Sequence, residues 1–337
     1  MMKAMVNTEY GSPDVLHLKE LAKPSPKDDE VLVKVHAASV NAADWHLLRA
    51  DPFLVRLMVG GLLKPKITIL GADIAGRVEA VGGNVKEFHP GDEVFGDISA
   101  CGWGGFAEYV CARENALVMK PANITFEQAA AVPLAGVTAL QGLRDYGQIR
   151  PGQKVLINGA SGGVGTFAVQ IARSFGAEVT AVCSTRNVDM AHSLGADHVI
   201  DYTREDFTRS GQCYDLILAA NGYHPISDYK RALSPDGIYV MAGGSMPQMF
   251  QAMLLGPWIS RNGEQKMVHF LAKPNKKDLT FIKELLETGK VKPVIDGCYP
   301  LSEVAGAFRY MEEEHARGKV VIAVDRDDRT DRTLGLT

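Results

Sequence analysis

The feature that most constrains this chain is a glycine-rich turn that follows a buried strand and opens a helix. The stretch NGASGGVG (158–165) continues from the apolar run KVLIN (154–158) and leads into VGTFAVQIARSFG (164–176), which has helical apolar spacing and a terminal glycine. A strand, a glycine turn and a helix in this order bring free backbone amides to a helix N-terminus, where a phosphate group binds. The order therefore predicts a dinucleotide-binding fold, and the alternative is a tight turn in an ordinary α/β core.

Each residue of this turn has an expected role. Gly162 is expected to permit the tight turn, Gly163 and Val164 to begin the helix, and Gly165 to let helix and strand pack closely. A pyrophosphate would lie against the amides of this turn. The predicted cofactor-binding residues here are therefore Ser161, Gly162, Gly163, Val164 and Gly165.

The pattern of the chain changes near residue 123. Before it, short strands separated by turns predict a partly open barrel. After it, strands alternate with helices, which predicts βαβ units on a parallel sheet. We therefore expect an α/β protein with a β-rich domain over 1–122 and a doubly wound cofactor domain over 123–262. The segment 263–337 is expected to complete the sheet and the first domain.

Composition excludes several classes of protein. The 36 Lys and Arg against 40 Asp and Glu give a net charge of −4, which argues against a nucleic-acid partner. No apolar stretch is long and uninterrupted enough to span a bilayer of about 30 Å, and the first residues lack the features of a signal peptide. The five cysteines are scattered and never form a CxxC pair, which favours reduced thiols. We expect a cytoplasmic protein without stable membrane insertion.

The end of the second strand of the cofactor domain indicates which dinucleotide binds. An NAD site has an Asp or Glu about 20 residues after the glycines, where it accepts a hydrogen bond from the ribose 2′-hydroxyl. This chain has CSTRN (183–187) there, without an acid before Asp189. Ser184 and Arg186 are suited to a 2′-phosphate, so NADPH is the predicted cofactor. The alternative for Arg186 is a loop cation at a helix start.

The stretch GQKVLINGASGGVGTFAVQIAR (152–173) resembles the signature of the quinone oxidoreductase and zeta-crystallin branch of the medium-chain dehydrogenase/reductase superfamily. The resemblance covers nearly the whole chain. It continues through VNAADWHLL (40–48), GADIAGRVEAVG (71–82), PGDEVFG (90–96), SLGADHVIDY (193–202) and RGKVVI (317–322). It implies a GroES-like catalytic domain, a Rossmann cofactor domain, an active site in the cleft between them and a homodimer.

The chain departs from the zinc enzymes of that superfamily at their metal ligands. It has Asn41 and Ala72 where zinc alcohol dehydrogenases carry a cysteine and a histidine, and Leu134 near the position of a second cysteine. The four-cysteine structural lobe is also missing, and Cys101 alone lies in that region. Since catalytic zinc needs three such side chains, no metal is expected.

Without a metal, the substrate itself must delocalise the negative charge that develops on it. Quinones and α,β-unsaturated carbonyls do so, and one or two hydrogen-bond donors then hold the anion. Asn41 is the first candidate donor, because its amide would occupy the vacated ligand position; an asparagine that closes a turn is the alternative. Asp44 matches a family position near the nicotinamide, or else caps a short helix that begins at Trp45. No side chain is identified as the proton donor, and solvent can serve.

The resemblance also implies cofactor contacts outside the glycine turn. Thr138 would bind the carboxamide or ribose, Tyr202 would lie beside the 2′-phosphate, and Lys319 would lie near the phosphates. Gly243 and Gly244 would let the backbone lie against the cofactor. By local rules, Thr138 can be a core residue and Lys319 a strand-edge lysine.

Two apolar segments, 52–66 and 245–258, are too hydrophobic for ordinary exposed loops. We expect them to wall a site for a bulky apolar substrate, with Trp45 and Phe270 nearby. Packing, a subunit interface and reversible contact with a membrane surface are the alternatives. The membrane alternative lacks the support of a basic polar face.

The sequence thus predicts a zinc-free oxidoreductase that transfers a hydride from NADPH to a quinone or an α,β-unsaturated carbonyl. Two other functions stay open. One is an NAD(P)-dependent alcohol dehydrogenase or aldehyde reductase, and the other is an NADPH-binding protein without turnover.

Overall fold

The computed structural model describes residues 1–57, 61–244, 260, 264–313 and 316–325. They divide into two compact units. Unit 1 comprises Met1–Leu134, Pro274–Lys283 and Ile295–Thr337, and unit 2 comprises Ala135–Lys273 and Glu284–Val294. Helix α2 (Phe126–Ala130) lies beyond the predicted limit at residue 122 and packs on strands of unit 1.

Strands in the described part of the chain are numbered in chain order. They are β1 (Met2–Asn7), β2 (Leu16–Leu21), β3 (Glu30–Val40), β4 (Asp73–Val81), β5 (Glu93–Asp97), β6 (Tyr109–Arg113), β7 (Leu117–Met119), β8 (Lys154–Asn158), β9 (Glu178–Cys183), β10 (His198–Asp201), β11 (Tyr214–Ala219), β12 (Leu233–Met241), β13 (Lys266–His269), β14 (Ile295–Pro300) and β15 (Lys319–Ala323).

Helices are numbered in the same way. They are α1 (Ala42–Arg49), α2 (Phe126–Ala130), α3 (Pro133–Gln141), α4 (Gly163–Ser174), α5 (Val188–Ser193), α6 (Ile226–Ala232), α7 (Lys276–Glu287) and α8 (Val304–Glu312). Short 3₁₀ turns occupy Pro13–Val15, Ser99–Cys101, Glu114–Ala116, Thr185–Asn187, Phe207–Arg209 and Leu301–Glu303, and a π turn occupies Gly142–Tyr146. In this described set, no helix is both long and apolar enough to cross a bilayer.

Unit 2 is built on a six-stranded sheet in the order β10-β9-β8-β11-β12-β13, and every pairing in it is parallel. Counted from β8, this order is 3-2-1-4-5-6, the doubly wound arrangement of dinucleotide-binding domains. The central strands β8 and β11 are apolar runs buried on both faces, as a sheet covered by helices requires. The predicted parallel sheet and Rossmann fold are confirmed.

Unit 1 contains a two-stranded sheet, β1-β2, and a seven-stranded sheet. The larger sheet runs β14-β15-β3-β4-β5-β7, with β6 also paired to β3, and all of its pairings except β14-β15 are antiparallel. Its core includes Val33, Ile74 and Val94 from three adjacent strands, together with Phe106 and Phe308. The β-rich module that the sequence predicts is confirmed.

Candidate functional site

The glycine turn of unit 2 forms a cradle at the N-terminus of α4. Its residue in the left-handed conformation is Gly159, with φ +80°, where a Cβ atom would lie 2.7 Å from the Asn221 amide nitrogen. Gly162 has φ −83°, a value that any residue can adopt. The tight turn that was predicted to need Gly162 therefore depends on Gly159 instead. Gly165 has the expected packing role, because a Cβ there would lie 2.1 Å from the Gly159 carbonyl oxygen.

Gly162 leaves open space where a ligand would lie. It is the N-cap residue of α4, and the nearest described atom to a Cβ built on it is the Gly159 carbonyl oxygen, at 3.6 Å. The first amides of a helix have no acceptor within it and carry the positive end of the helix dipole. A 12-residue helix that begins with such open space among the described residues therefore fits the pyrophosphate of a dinucleotide.

The ends of neighbouring strands bring other predicted cofactor residues to the same edge of this sheet. Ser184 follows β9 and Tyr202 follows β10, and these strands pair in parallel with Asp201 opposite Cys183. Gly243 and Gly244 follow β12; a Cβ atom on Gly243 would lie 2.4 Å from the Ala220 carbonyl oxygen. Ligands of open parallel sheets bind at the carboxyl ends of the strands.

The loops after β9 and β10 are tied together by one carboxylate. Asp201 Oδ2 accepts from Thr185 Oγ1 over 2.6 Å, and Asp201 Oδ1 accepts from Thr203 Oγ1 over 2.7 Å. These hydrogen bonds hold the pKa of Asp201 below its ordinary value. Arg186 and Tyr202 are exposed in the joined loops, where a phosphate in solvent can reach them.

Two further predicted residues of unit 2 are buried. Thr138 lies on α3 and is 7% exposed. Phe270 is 8% exposed and stacks on Tyr146, with 4.4 Å between the ring centroids. Phe270 therefore packs within unit 2 in this structure, and its contact with a substrate stays a prediction.

In unit 1, the register of the large sheet assembles a buried polar network. Ser39 on β3 lies opposite Asp73 on β4, and Asp73 lies opposite Asp97 on β5. Residues directly opposite each other in paired strands point to the same face. Lys319 begins β15, beside Asn41, the residue that follows β3. We call Ser39, Asn41, Asp73, Asp97 and Lys319 the buried network.

Asp73 is the centre of the buried network. Its Oδ2 accepts from Ser39 Oγ and from Asn41 Nδ2, each over 3.0 Å, and its Oδ1 accepts from the Leu134 amide over 3.0 Å. The Lys319 ammonium lies 3.7 Å from Asp73 Oδ2 and donates to Asn41 Oδ1. Burial raises the pKa of Asp73 and lowers that of Lys319, and the attraction between the two charges opposes both shifts.

Two more carboxyl groups are buried close by. Asp44 accepts from the backbone amides of Asn41 and Gly71, each over 2.8 Å, and burial raises its pKa to about 7. Asp97 Oδ1 accepts from the Ser99 amide over 2.8 Å, whereas its Oδ2 is buried with no hydrogen-bond partner among the described residues. Burial and the neighbouring Asp73 raise the pKa of Asp97 to about 7.

The position of Asp44 corrects the predicted helix start. α1 begins at Ala42, so Asp44 is the third residue of the helix and bonds back to the amide of its N-cap residue, Asn41. The helix starts three residues before Trp45 because this capping contact fixes its first turn. Trp45 is half-buried, and its Nε1 donates to Glu312 Oε1 over 2.7 Å.

The structure thus brings together Asn41, Asp44 and Lys319 among the predicted site residues of unit 1. Lys319 is only 4% exposed and its ammonium is directed at Asn41, which disfavours the predicted contact with a cofactor phosphate. Of the two apolar segments, 245–258 lies outside the described residues. In the other, Phe53, Leu57 and Leu63 are exposed.

Comparisons with known proteins agree with both units. Residues 27–122 match the alcohol dehydrogenase GroES-like domain, and residues 194–322 match a zinc-binding dehydrogenase family. A chloroplast envelope quinone oxidoreductase homolog of Arabidopsis thaliana is 35% identical over 335 residues, covering 96% of this chain and 98% of that protein. The chain belongs to the quinone oxidoreductase branch of the medium-chain dehydrogenase/reductase superfamily. It is therefore an oxidoreductase.

Two further proteins of this family are similar to the chain over nearly its whole length. An NADPH-dependent alkenal/one oxidoreductase of Arabidopsis thaliana chloroplasts is 36% identical, covering 95% of this chain and 79% of that protein. The solved quinone oxidoreductase of Coxiella burnetii has a TM-score of 0.85 at 30% identity, covering 96% of this chain and 99% of that one. The family and both domain types that the sequence predicts are confirmed.

The family name implies zinc, but the residues at its ligand positions do not fit that metal. Ala72 and Leu134 carry no donor atom in their side chains, and Asn41 Oδ1 already accepts from Lys319. Across the described ranges, no group of three or more His, Cys, Asp or Glu is arranged to hold a metal ion. Hydrogen bonds to Asp73 link Asn41 and the Leu134 amide instead.

Sequence reasoning missed Ser39, Asp73 and Asp97. The signal was an acid at one terminus of a strand, directly beside apolar residues or glycine, as in VFGD (94–97) and DIAG (73–76). A carboxylate in such a place needs a buried partner, and Lys319 begins β15 in the same manner. Their meeting depends on the register of four strands, which no local pattern gives.

Proposed function

We propose that this chain is an NADPH-dependent reductase of quinones or α,β-unsaturated carbonyls that works without zinc. The observation that carries the proposal is the replacement of the family's metal ligands by the buried network. Asn41 stands at the first ligand position with an amide, and an ammonium from Lys319 is the cation beside it. Such a site offers hydrogen-bond donors and no Lewis acid.

The cofactor is held by the carboxyl edge of the unit 2 sheet. Bound NADPH supplies a hydride. The amides that begin α4 hold its pyrophosphate, and Gly162 leaves room for that group. Ser184 and Arg186 bind the 2′-phosphate with Tyr202 beside it, and charge-assisted hydrogen bonds from Arg186 favour NADPH over NADH.

Asn41 donates a hydrogen bond to the substrate oxygen. Its Nδ2 group has two hydrogens: one is in a 3.0 Å contact with Asp73, and the other is in a long 3.3 Å contact with the Ser39 carbonyl oxygen. The long contact is the weaker and is exchanged for the substrate. An amide N–H is a modest donor, so the acceptor must spread its negative charge, as a hydroquinone anion or an enolate does.

The names of the relatives support this substrate class, since they include a quinone oxidoreductase homolog and an alkenal/one oxidoreductase. A homodimer and a cytoplasmic location complete the proposal. All five cysteines are free, which agrees with a reducing compartment.

The test measures NADPH oxidation by chelator-treated protein with an ortho-quinone and a linear enone in parallel. We expect turnover of at least one acceptor that persists in chelator, with NADPH preferred to NADH. Faster quinone turnover would identify a quinone reductase, and faster enone turnover an alkene reductase. Activity that requires added zinc would instead support an alcohol dehydrogenase or aldehyde reductase. Tight NADPH binding without turnover of either acceptor would indicate a non-catalytic protein.

A further inference from the structure

The side-chain amide of Asn41 lies between two opposite charges. Its Oδ1 accepts from the Lys319 ammonium, and its Nδ2 donates to Asp73 Oδ2 over 3.0 Å. The three residues are 5%, 4% and 0% exposed, respectively, so water does not screen these charges. The ammonium lies 3.7 Å from the same carboxylate oxygen, which fixes the two charges relative to each other.

A half-turn of the amide would reverse both contacts. The NH₂ group would then face an ammonium, which has no lone pair to accept, and the carbonyl oxygen would face a carboxylate, which has no hydrogen to donate. In a buried site both arrangements are strongly unfavourable. The charges of Lys319 and Asp73 therefore select one of the two orientations of Asn41.

We propose that Lys319 and Asp73 are positioning residues of this reductase, because together they fix which end of the Asn41 amide is the hydrogen-bond donor. The inference rests on the proposed function, in which the Asn41 N–H that contacts the Ser39 carbonyl oxygen donates its hydrogen bond to the substrate oxygen instead. With the amide reversed, Asn41 would present an oxygen to the developing anion and repel it.

The same residues link positions that a metal joins in zinc-dependent relatives. Asp73 binds the amide of Leu134 through Oδ1 and the side chain of Asn41 through Oδ2. Lys319 also donates to the Val40 carbonyl oxygen over 3.4 Å, at the end of β3. The end of β3, the start of β4 and the start of α3 are thereby held by one ion pair.

The experiment compares Lys319→Met, Asp73→Asn and the double variant with the wild type. Each single variant leaves one buried charge without its partner, so its unfolding midpoint should fall. The double variant has no unpaired charge, and the amide introduced at position 73 offers an NH₂ group to the oxygen of a reversed Asn41. Its unfolding midpoint should return toward that of the wild type.

The double variant should not recover its activity when it recovers its stability. In the double variant the Leu134 amide still needs an acceptor, so the new amide at position 73 keeps its oxygen there and turns its NH₂ group toward Asn41. This arrangement favours the reversed Asn41, so kcat should stay about 100-fold below wild type, the loss that follows removal of one oxyanion donor. Lys120→Met is the matched control. The Lys120 side chain is 5% exposed and lies 3.2 Å from Glu93, but it makes no contact with Asn41. This control should lose stability while its folded fraction keeps the wild-type kcat.

Two outcomes would overturn the inference. A double variant with wild-type stability and a kcat within about threefold of wild type would show that the ion pair is structural only. A double variant no more stable than either single variant would show that the two charges do not act as a pair. Wild-type protein that turns over neither acceptor would instead refute the proposed function, and this inference with it.

Discussion

Asp97 carries a carboxyl oxygen that is buried without a hydrogen-bond partner among the described residues. Its pKa is raised from 3.8 to about 7, so between these values the folded chain retains a proton that the unfolded chain has released. The free energy of unfolding therefore falls as pH rises from about 4 to 7, and this contribution stays constant above pH 7. Ionisation of Asp97 costs up to about 4 kcal/mol.

Asp97→Asn should remove this pH dependence. We expect the stability of the variant relative to wild type to increase from pH 4 to pH 7 and then to level off. Urea unfolding at several pH values measures the difference, with the exposed Asp236→Asn as the control. The stability of Asp97→Asn itself will still fall somewhat between pH 4 and pH 7, because burial also raises the pKa of Asp44 to about 7. Parallel curves for wild type and Asp97→Asn would contradict the prediction.

In the proposed function, Arg186 discriminates between NADPH and NADH. Removing one charge-assisted contact to a phosphate costs about 1.5–3 kcal/mol, or roughly 10- to 150-fold in Kd. Arg186→Ala should weaken NADPH binding by that factor and leave NADH binding nearly unchanged, as titration of cofactor fluorescence would measure. Arg209→Ala, an exposed arginine paired with Asp206, is the control. Equal losses for both cofactors would remove Arg186 from the phosphate site.

At the scale of elements, two glycines at the beginning of α4 should respond in opposite ways to replacement by alanine: Gly162, its N-cap residue, and Gly165 in its first turn. A Cβ atom at Gly165 would lie 2.1 Å from the Gly159 carbonyl oxygen and 2.7 Å from Ala160 Cα, both backbone atoms. Gly165→Ala should therefore prevent stable folding of unit 2. A Cβ atom at Gly162 would come no closer than 3.6 Å to its nearest neighbour, so Gly162→Ala should fold with a loss of about 1 kcal/mol or less.

Gly162→Ala should nevertheless lose cofactor affinity, because its methyl group would take the space of the pyrophosphate. We expect at least a tenfold higher Kd for both NADPH and NADH, measured alongside the unfolding midpoint of each variant. The added methyl group points into open space at position 162 and into the backbone at position 165. The first variant therefore tests cofactor binding, and the second tests helix packing. Normal NADPH binding by Gly162→Ala would place the pyrophosphate elsewhere.

Elements with a strong local pattern were predictable from the sequence. The run KVLIN is strand β8 residue for residue, and α4 spans Gly163–Ser174 close to the predicted 164–176. The start of α1 was predicted three residues late, because an asparagine before an amphipathic stretch does not reveal which acid caps it. The buried network was not predictable in this way, since Asp73 and Lys319 are 246 residues apart in sequence and meet only through strand register.

At the scale of the whole molecule, neither unit is a continuous piece of chain. The chain passes between the units four times, after residues 134, 273, 283 and 294, and the third passage falls within α7. Division of α7 at that point leaves pieces of 8 residues (276–283) and 4 residues (284–287), each shorter than the roughly 12–15 residues that an isolated helix needs. We therefore expect the two units to unfold in a single transition.

NADPH tests this expectation, because it binds only the folded chain. At a concentration of 100 Kd, a ligand adds about 2.7 kcal/mol to the free energy of unfolding. For cooperative unfolding of all 337 residues this should raise the midpoint of thermal unfolding by about 4 °C, whether or not a chelator is present.

If unit 2 unfolded alone, calorimetry would show two transitions. NADPH would then raise the midpoint of one of them by about 9 °C, because fewer residues share the same free energy. A single peak that moves by the smaller amount would mean that cofactor binding at the sheet edge of unit 2 also stabilises the buried network of unit 1.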